Sequence, residues 1–89
     1  MISKTTKRFR EALADLPTGI QRQAREAYKR FSKNPYHPGL RFKKVHSTEP
    51  IYAARINDDD RALGLVEDGE IVWFWIVSHA EYEKMLGKR

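Results

Sequence analysis

Imidazole is the side chain that gains and loses a proton near neutral pH, and the chain has three: His37, His46 and His79. Their spacing contains no HxxxH or HExxH pattern and there is no cysteine, so a zinc site with closely spaced ligands is not expected. No glycine-rich phosphate loop occurs. Ser47, Thr48 and Ser78 lie in no nucleophile-elbow motif, which argues against serine-hydrolase chemistry. The residues imply no metal and no cofactor. A distributed basic set remains. Lys44 and His46 alternate along one strand candidate and so share a face. Arg55 shares a face of the next strand with Ile51 and Ala53, and Arg61 opens a third. His79 falls at the first helical position after an apolar strand, with Tyr82 one turn later. Arginine and lysine would hold a phosphate, imidazole would move a proton, and the tyrosine would stack on a base or donate its hydroxyl. The helix start at His79 also favours an incoming phosphate. Each residue has a plainer explanation taken singly. A histidine at a helix start is commonly a solvated surface residue, and Arg55 and Arg61 flank Asp58-Asp59-Asp60, with which they would pair at about 0–1 kcal/mol if exposed. The combination is what suggests phosphodiester chemistry.

Charge points the same way. Residues 1–46 hold twelve Lys and Arg against three acidic residues, a net +9, and the remainder carries a net −4, giving +5 for the 89-residue chain. A basic half of this kind favours a polyanionic partner, nucleic acid first; a solvated basic face kept for solubility is the alternative. No run approaches 18 consecutive apolar residues, and the basic N-terminus lacks the apolar segment of a secretory signal. A cytoplasmic protein without a membrane partner is therefore expected. The length suits one domain over residues 1–89 with a limited core.

The elements that would position these groups follow from periodicity. Phe9, Leu13 and Leu16 mark a first helix near residues 4–15, interrupted by Pro17. Thr18 with Gln21 reads as a capping box for a second helix over 19–33, whose apolar stripe is Ile20, Ala24, Ala27, Tyr28 and Phe31. Asn34-Pro35 ends it. The two helices should form an antiparallel hairpin with arginines and lysines on its outer faces. Four strand candidates follow at 40–46, 51–56, 61–66 and 70–77, with Asp68-Gly69 as a tight hairpin signal. The last, Ile71-Val72-Trp73-Phe74-Trp75-Ile76-Val77, is apolar on both faces and should be central. Ser78 and Glu81 form a further capping box, opening a short helix with Tyr82, Met85 and Leu86. Met1–Ser3 could add a short edge strand. The fold class is α+β: a helical hairpin packed on a twisted, mainly antiparallel sheet of about four strands, with a short C-terminal helix.

The ordered set helix–Leu-Pro–helix–Asn-Pro, Leu40-Arg41-Phe42-Lys43-Lys44-Val45-His46, Ile51-Tyr52-Ala53-Ala54-Arg55-Ile56-Asn57, Arg61-Ala62-Leu63-Gly64 and Trp73-Phe74-Trp75-Ile76-Val77-Ser78-His79-Ala80-Glu81-Tyr82 resembles the RelE/ParE toxin superfamily over essentially the whole chain. The resemblance implies a bacterial type II toxin with a cognate antitoxin as partner. Most RelE-like members cut mRNA in the ribosomal decoding site without a metal, so the ribosome and mRNA are the further implied partners. By position, Arg55 and Arg61 match the family's strand arginines, His79 its C-terminal histidine and Tyr82 the aromatic residue near it. His46 matches a strand histidine of one branch, and Lys44 the basic residue before it. These six form the candidate catalytic set, with Arg22, Arg25, Lys29, Arg30 and Lys43 as candidate nucleic-acid docking residues. Two departures are visible: the N-terminal strand reads as shortened to Met1–Ser3 against the family's, and Asp58-Asp59-Asp60 is unusually acidic for an RNA-binding face. A ParE-like inhibitor of DNA gyrase without catalysis is the second reading, and an inactive member that binds only its antitoxin the third.

Overall fold

The computed structural model describes residues 1–87, with side chains described through residue 84. Met85 and Leu86, expected to line the last helix, thus have side chains outside the described ones. The elements run β1 (Ile2–Thr5), α1 (Lys7–Ala14), α2 (Thr18–Lys33), β2 (Lys43–Lys44), β3 (Ile51–Arg55), β4 (Asp60–Glu67), β5 (Glu70–Ser78) and α3 (His79–Gly87). The strands form one mixed sheet in the order β1-β5-β4-β3-β2. β1 runs parallel to β5, and the other pairs are antiparallel. The expected α+β architecture is present, with five strands in place of about four.

The additional strand takes residues assigned by periodicity to the first helix. Lys4 and Thr5 belong to β1, where Trp73 Nε1 donates to Ser3 Oγ at 2.9 Å and Lys4 Nζ lies 3.1 Å from Glu70 Oε1. Thr6 then caps α1, its Oγ1 accepting from Phe9 N at 3.1 Å. The expected capping box of α2 is not formed. Pro17 occupies the cap position without a side-chain bond, and Thr18 is already helical. Gln21 instead donates through Nε2 to the carbonyls of Ala14, at 3.1 Å, and Leu16, at 2.8 Å. It satisfies carbonyls left unpaired as α1 ends and so closes the helix–helix connection.

The strand expected over 40–46 shrinks to two residues for local reasons. Pro38–Leu40 form a 3₁₀ turn, with His37 Nδ1 accepting from Gly39 N at 3.0 Å, and Arg41 is left-handed at φ 46°. Extended backbone cannot pass through that turn, so β2 begins only after Phe42. The Asp68-Gly69 hairpin is as expected, both residues having positive φ, 50° and 77°, as a tight turn matched to strand twist requires. β4 and β5 shift register between Leu63 and Gly64, leaving Phe74 as the extra residue. A Cβ on Gly64 would come within 2.6 Å of the Ile71 side chain, so glycine is required where β5 leans in.

On the helix face of the sheet, Ala27, Phe31, Leu40, Ala54, Ile56, Ala62, Ile71 and Trp73 form the principal core. Phe31 meets Phe42 and Trp73 edge-on, each with ring centroids 5.2 Å apart, an arrangement worth about 0.5–1.5 kcal/mol per pair beyond area burial. Tyr28, on the α2 stripe by spacing, is about half exposed, at 48%. An apolar cavity of about 360 Å³ opens between the helices and the sheet near Phe9, Leu13 and Ala24. The opposite face carries a smaller core of Ala53, Leu63, Val77 and Tyr82, so α3 supplies the second cover that the two-sided apolarity of β5 demands. β5 is hydrogen-bonded on both edges but sits second in the sheet; the middle strand is β4.

Candidate functional site

Residues directly opposite in antiparallel strands project from the same face, so the register decides which basic residues meet. Arg55 pairs with Arg61, and Arg61 with Val77, placing both arginines on the face covered by α3. Lys43 pairs with Ala53 and Ala53 with Leu63, so Lys43 shares that face. Lys44 pairs with Tyr52, which stacks on Phe42 at 5.0 Å on the helix side. The expectation that Lys44 joins the arginines is therefore corrected: its neighbour Lys43 does, because a strand exchanges faces at every residue.

His46 lies just past β2, exposed, with Nδ1 accepting from Glu49 N at 2.9 Å and Thr48 N at 3.2 Å. With Nδ1 occupied as acceptor, the neutral ring carries its proton on Nε2. The ring closes the β2–β3 loop beside the start of β3, since Val45 N donates to Ile51 O at 2.8 Å. His79 lies at the other end of the sheet, following Ser78, which pairs with Asp60. At about 3.3 Å per residue and about 4.8 Å per strand, the two histidines stand on the order of 20 Å apart. They cannot share one phosphodiester, and the expectation that His46 and His79 belong to one catalytic set is corrected on that ground.

His79 itself is firmly mounted. Its backbone N–H donates to the Asp59 carbonyl. The expected capping box closes beside it, with Ser78 N donating to Glu81 Oε1 at 2.9 Å and Glu81 N to Ser78 Oγ at 3.2 Å. The Ser78 backbone N–H, and after it the Ser78 side chain, hold the Glu81 carboxyl below its ordinary range. The imidazole is 49% exposed, and its Nε2 lies 3.5 Å from Glu83 Oε1, an ion pair only when the ring is protonated.

Arg61 and Tyr82 do not stand open to a substrate. Arg61 is 8% exposed, its Nη1 donating to the carbonyls of Asn57, at 2.6 Å, and Asp60, at 3.1 Å. Its guanidinium carbon lies 5.4 Å from the Tyr82 ring centroid. Tyr82 is 6% exposed and packs in the small core. Base stacking by Tyr82 is excluded while α3 is docked, because the ring is the helix's buried anchor. Arg55 is more open and pairs with the exposed Asp58. The Arg55 hydrogen bond, and after it the Arg55 charge, holds the Asp58 carboxyl below its ordinary range, with Arg61 and Arg41 adding to the effect.

The loop between β3 and β4 joins these parts. Asn57 Oδ1 accepts from the backbone N–H of Asp59, at 2.7 Å, and Asp60, at 2.8 Å, an Asx-type turn. Asn57 Nδ2 donates to Gln23 Oε1 of α2 at 2.7 Å. The loop thus ties α2 on one side to the start of α3 on the other. Asn57 and Gln23 were not singled out from sequence. Asn57 opening an acidic turn was the available signal, but no spacing rule relates it to a residue 34 positions earlier. The four α2 residues expected to dock nucleic acid, Arg22, Arg25, Lys29 and Arg30, are all exposed and divide into two pairs. Arg22 and Arg30 line a polar pocket with Arg55, whereas Arg25 and Lys29 border the apolar cavity. Among the described residues, no group of three or more His, Asp and Glu side chains is placed to hold a metal ion, and no helix is long and apolar enough to cross a membrane.

Residues 18–84 match a family model described as a ParE-like toxin domain. No curated protein sequence matches the chain. Among solved structures, the RelE–RelB complex from the archaeon Pyrococcus horikoshii is similar at TM-score 0.68 and 23% identity, over 86% of this chain and 92% of that one. YafQ from Escherichia coli is similar at TM-score 0.70 and 10% identity, covering 89% and 93%. The RelB–RelE antitoxin–toxin complex from Methanococcus jannaschii is similar at TM-score 0.66 and 16% identity, covering 91% and 95%. At these identities the structures establish a shared fold.

Proposed function

Because the chain belongs to the ParE-like toxin domain family, within the RelE/ParE toxin superfamily, we propose that it is the toxin of a type II toxin–antitoxin pair and cleaves mRNA on the ribosome without a metal. One observation carries the nuclease reading: an exposed imidazole, His79, fixed by a capped helix start and a backbone bond to the loop that follows Arg55. In RNA the ribose 2′-OH is the nucleophile. It attacks the adjacent phosphorus, the bond to the 5′-oxygen breaks, and the products are a 2′,3′-cyclic phosphate and a 5′-OH. His79 takes the 2′-OH proton or gives one to the departing 5′-oxygen, water making the other transfer, and Arg55 stabilises the charge on the phosphate. Positioning and electrostatics supply much of the barrier reduction in such reactions, so one well-placed imidazole suffices. Arg61 acts as a positioning residue, holding the Asn57 and Asp60 carbonyls beneath α3. His46, donating through Nε2, meets a different phosphate of the RNA.

The proposed partner is a cognate antitoxin. Two of the similar structures hold RelE in complex with RelB, and the apolar cavity bordered by Arg25 and Lys29 suits an apolar segment with acidic flanks. Co-expression with the product of an adjacent small reading frame should yield a stable complex; failure to co-purify would remove that support.

The matched family model, being ParE-like, favours a second reading: a gyrase inhibitor without catalysis. In vitro translation followed by primer extension on the message separates the two. Codon-phased cuts support the nuclease. Intact message together with blocked DNA supercoiling supports the inhibitor.

A further inference from the structure

The polar pocket between α2 and the β3–β4 loop, about 480 Å³, is lined by Arg22, Gln23, Glu26, Arg30, Arg55, Ile56, Asn57 and Asp58. Three arginines, two from a helix and one from a strand end far apart in sequence, line one hollow. Guanidinium presents a planar fork of donors that matches phosphate oxygens and stays charged throughout the physiological range. Two carboxylates share the hollow, and they are differently engaged. Glu26 lies 3.8 Å from Lys29 Nζ. Asp58 is held by Arg55 although its side chain is 90% exposed. The wall between them is braced by the 2.7 Å bond from Asn57 to Gln23. The same loop meets His79 on its far side through the Asp59 carbonyl.

We propose that this pocket is a phosphodiester subsite for RNA, in which Arg22 and Arg30 bind one backbone phosphate, Arg55 at its rim meets the neighbouring phosphate that is cut, and the Asp58 carboxylate occupies Arg55 until the RNA replaces it. This rests on the RNA-cleaving reading above and adds to it a site, a ligand group and a built-in competitor. The acidic loop then has a function on a basic surface. Asp58 keeps Arg55 oriented and neutralised while no RNA is bound, so a polyanion must displace a carboxylate to engage the pocket. Because the loop also bears on His79, a phosphate seated there would set the strand's position relative to the imidazole. An exposed carboxyl is charged at neutral pH in any case, and the Arg55 bond lowers the proton affinity of Asp58 further.

The test uses the full chain and a fluorescein-labelled, 2′-O-methylated single-stranded RNA that cannot be cut, read by anisotropy against salt. Asp58→Asn should tighten binding about fivefold at low salt, the size of one unit-charge contact in water. Arg30→Gln should weaken it and reduce the salt slope by about one. The double variant Asp58→Asn, Arg55→Gln should lose the gain. Circular dichroism on each variant confirms the fold, Asp58 and Arg30 being exposed and Arg55 partly so. No binding by the wild-type chain, no tightening by Asp58→Asn, or a gain that persists without Arg55 would each overturn the proposal. A polyglutamate peptide that binds as tightly and shows the same Asp58 response would overturn it as well, reassigning the pocket to an acidic protein segment. The nuclease reading is judged separately. If the message survives on translating ribosomes while the anisotropy responds to Asp58 as stated, the subsite stands and the cleavage reading fails.

Discussion

The two faces of the sheet are made from alternate residues of the same strands, and they differ in kind. On the helix face Ile71 and Leu40 are sealed, and Phe31, Phe42 and Trp73 interlock. On the α3 face the rows read Lys43, Ala53, Leu63 and then Arg55, Arg61, Val77, with Tyr82 as the buried anchor of the covering helix. Two-residue periodicity lets one strand serve both purposes. The aromatic face supplies the burial that allows the other to carry charge, at little cost where the charges are exposed, as at Lys43, and by internal pairing where they are covered, as at Arg61.

The contrast can be broken from either side. Trp73→Ala should have the largest effect, removing ring contacts to Phe31 and Phe42 and the bond to Ser3; a loss of about 3–5 kcal/mol in urea unfolding is expected. A loss below about 1 kcal/mol would mean that the helix face is not the main source of stability. His79→Ala should behave oppositely. Cleavage falls by about 10²–10⁴-fold if the imidazole moves a proton, while stability stays within about 0.5 kcal/mol for so exposed a side chain. Thermal unfolding and cleavage measured on the same preparation check both halves, and full activity in a folded variant removes His79 from the mechanism.

Gly64→Ala probes the join between the faces. The added methyl meets Ile71 and should cost about 1–3 kcal/mol, with cleavage per folded molecule unchanged; activity that falls further than the folded fraction would tie the bulge to the site. A paired substitution sharpens the facing assignment. Lys43→Gln should lower the salt slope of RNA binding by about one and Lys44→Gln should leave it unaltered, whereas equal slopes would detach RNA binding from the α3 face.

The smallest effect concerns pH. The proton affinity of Glu81 is lowered in the folded state by the Ser78 bonds, so its contribution is present above the ordinary glutamate range near pH 4.3 and is lost as pH falls through the lower folded value. Stability measured for the wild type and Glu81→Gln should differ at pH 6 and converge toward pH 3 on those grounds. A difference that persists unchanged into acid would assign the cap's value to geometry alone.

What could be read from the chain without a structure was local. The Asp68-Gly69 turn, the Ser78–Glu81 cap, the break at Asn34-Pro35 and the two-sided apolarity of β5 each depend on residues within a few positions of one another, where φ preferences and side-chain-to-backbone bonds decide the outcome. Arg55 and Arg61, flanking one short acidic turn, fall at one end of the sheet for the same reason. Tertiary structure alone decided the parallel docking of β1 on β5, which needs Trp73 to reach Ser3 across 70 positions. It decided that Gln21 turns back to α1 rather than capping α2, that Lys43 and not Lys44 stands with the arginines, that Tyr82 buries Arg61, and that His46 and His79 stand at opposite ends of the sheet. Each of these turns on register or on a long-range partner. A shift of one residue exchanges the faces of a strand at no local cost, so no pattern within the strand itself can choose between them; the packing of the whole sheet against its helices does.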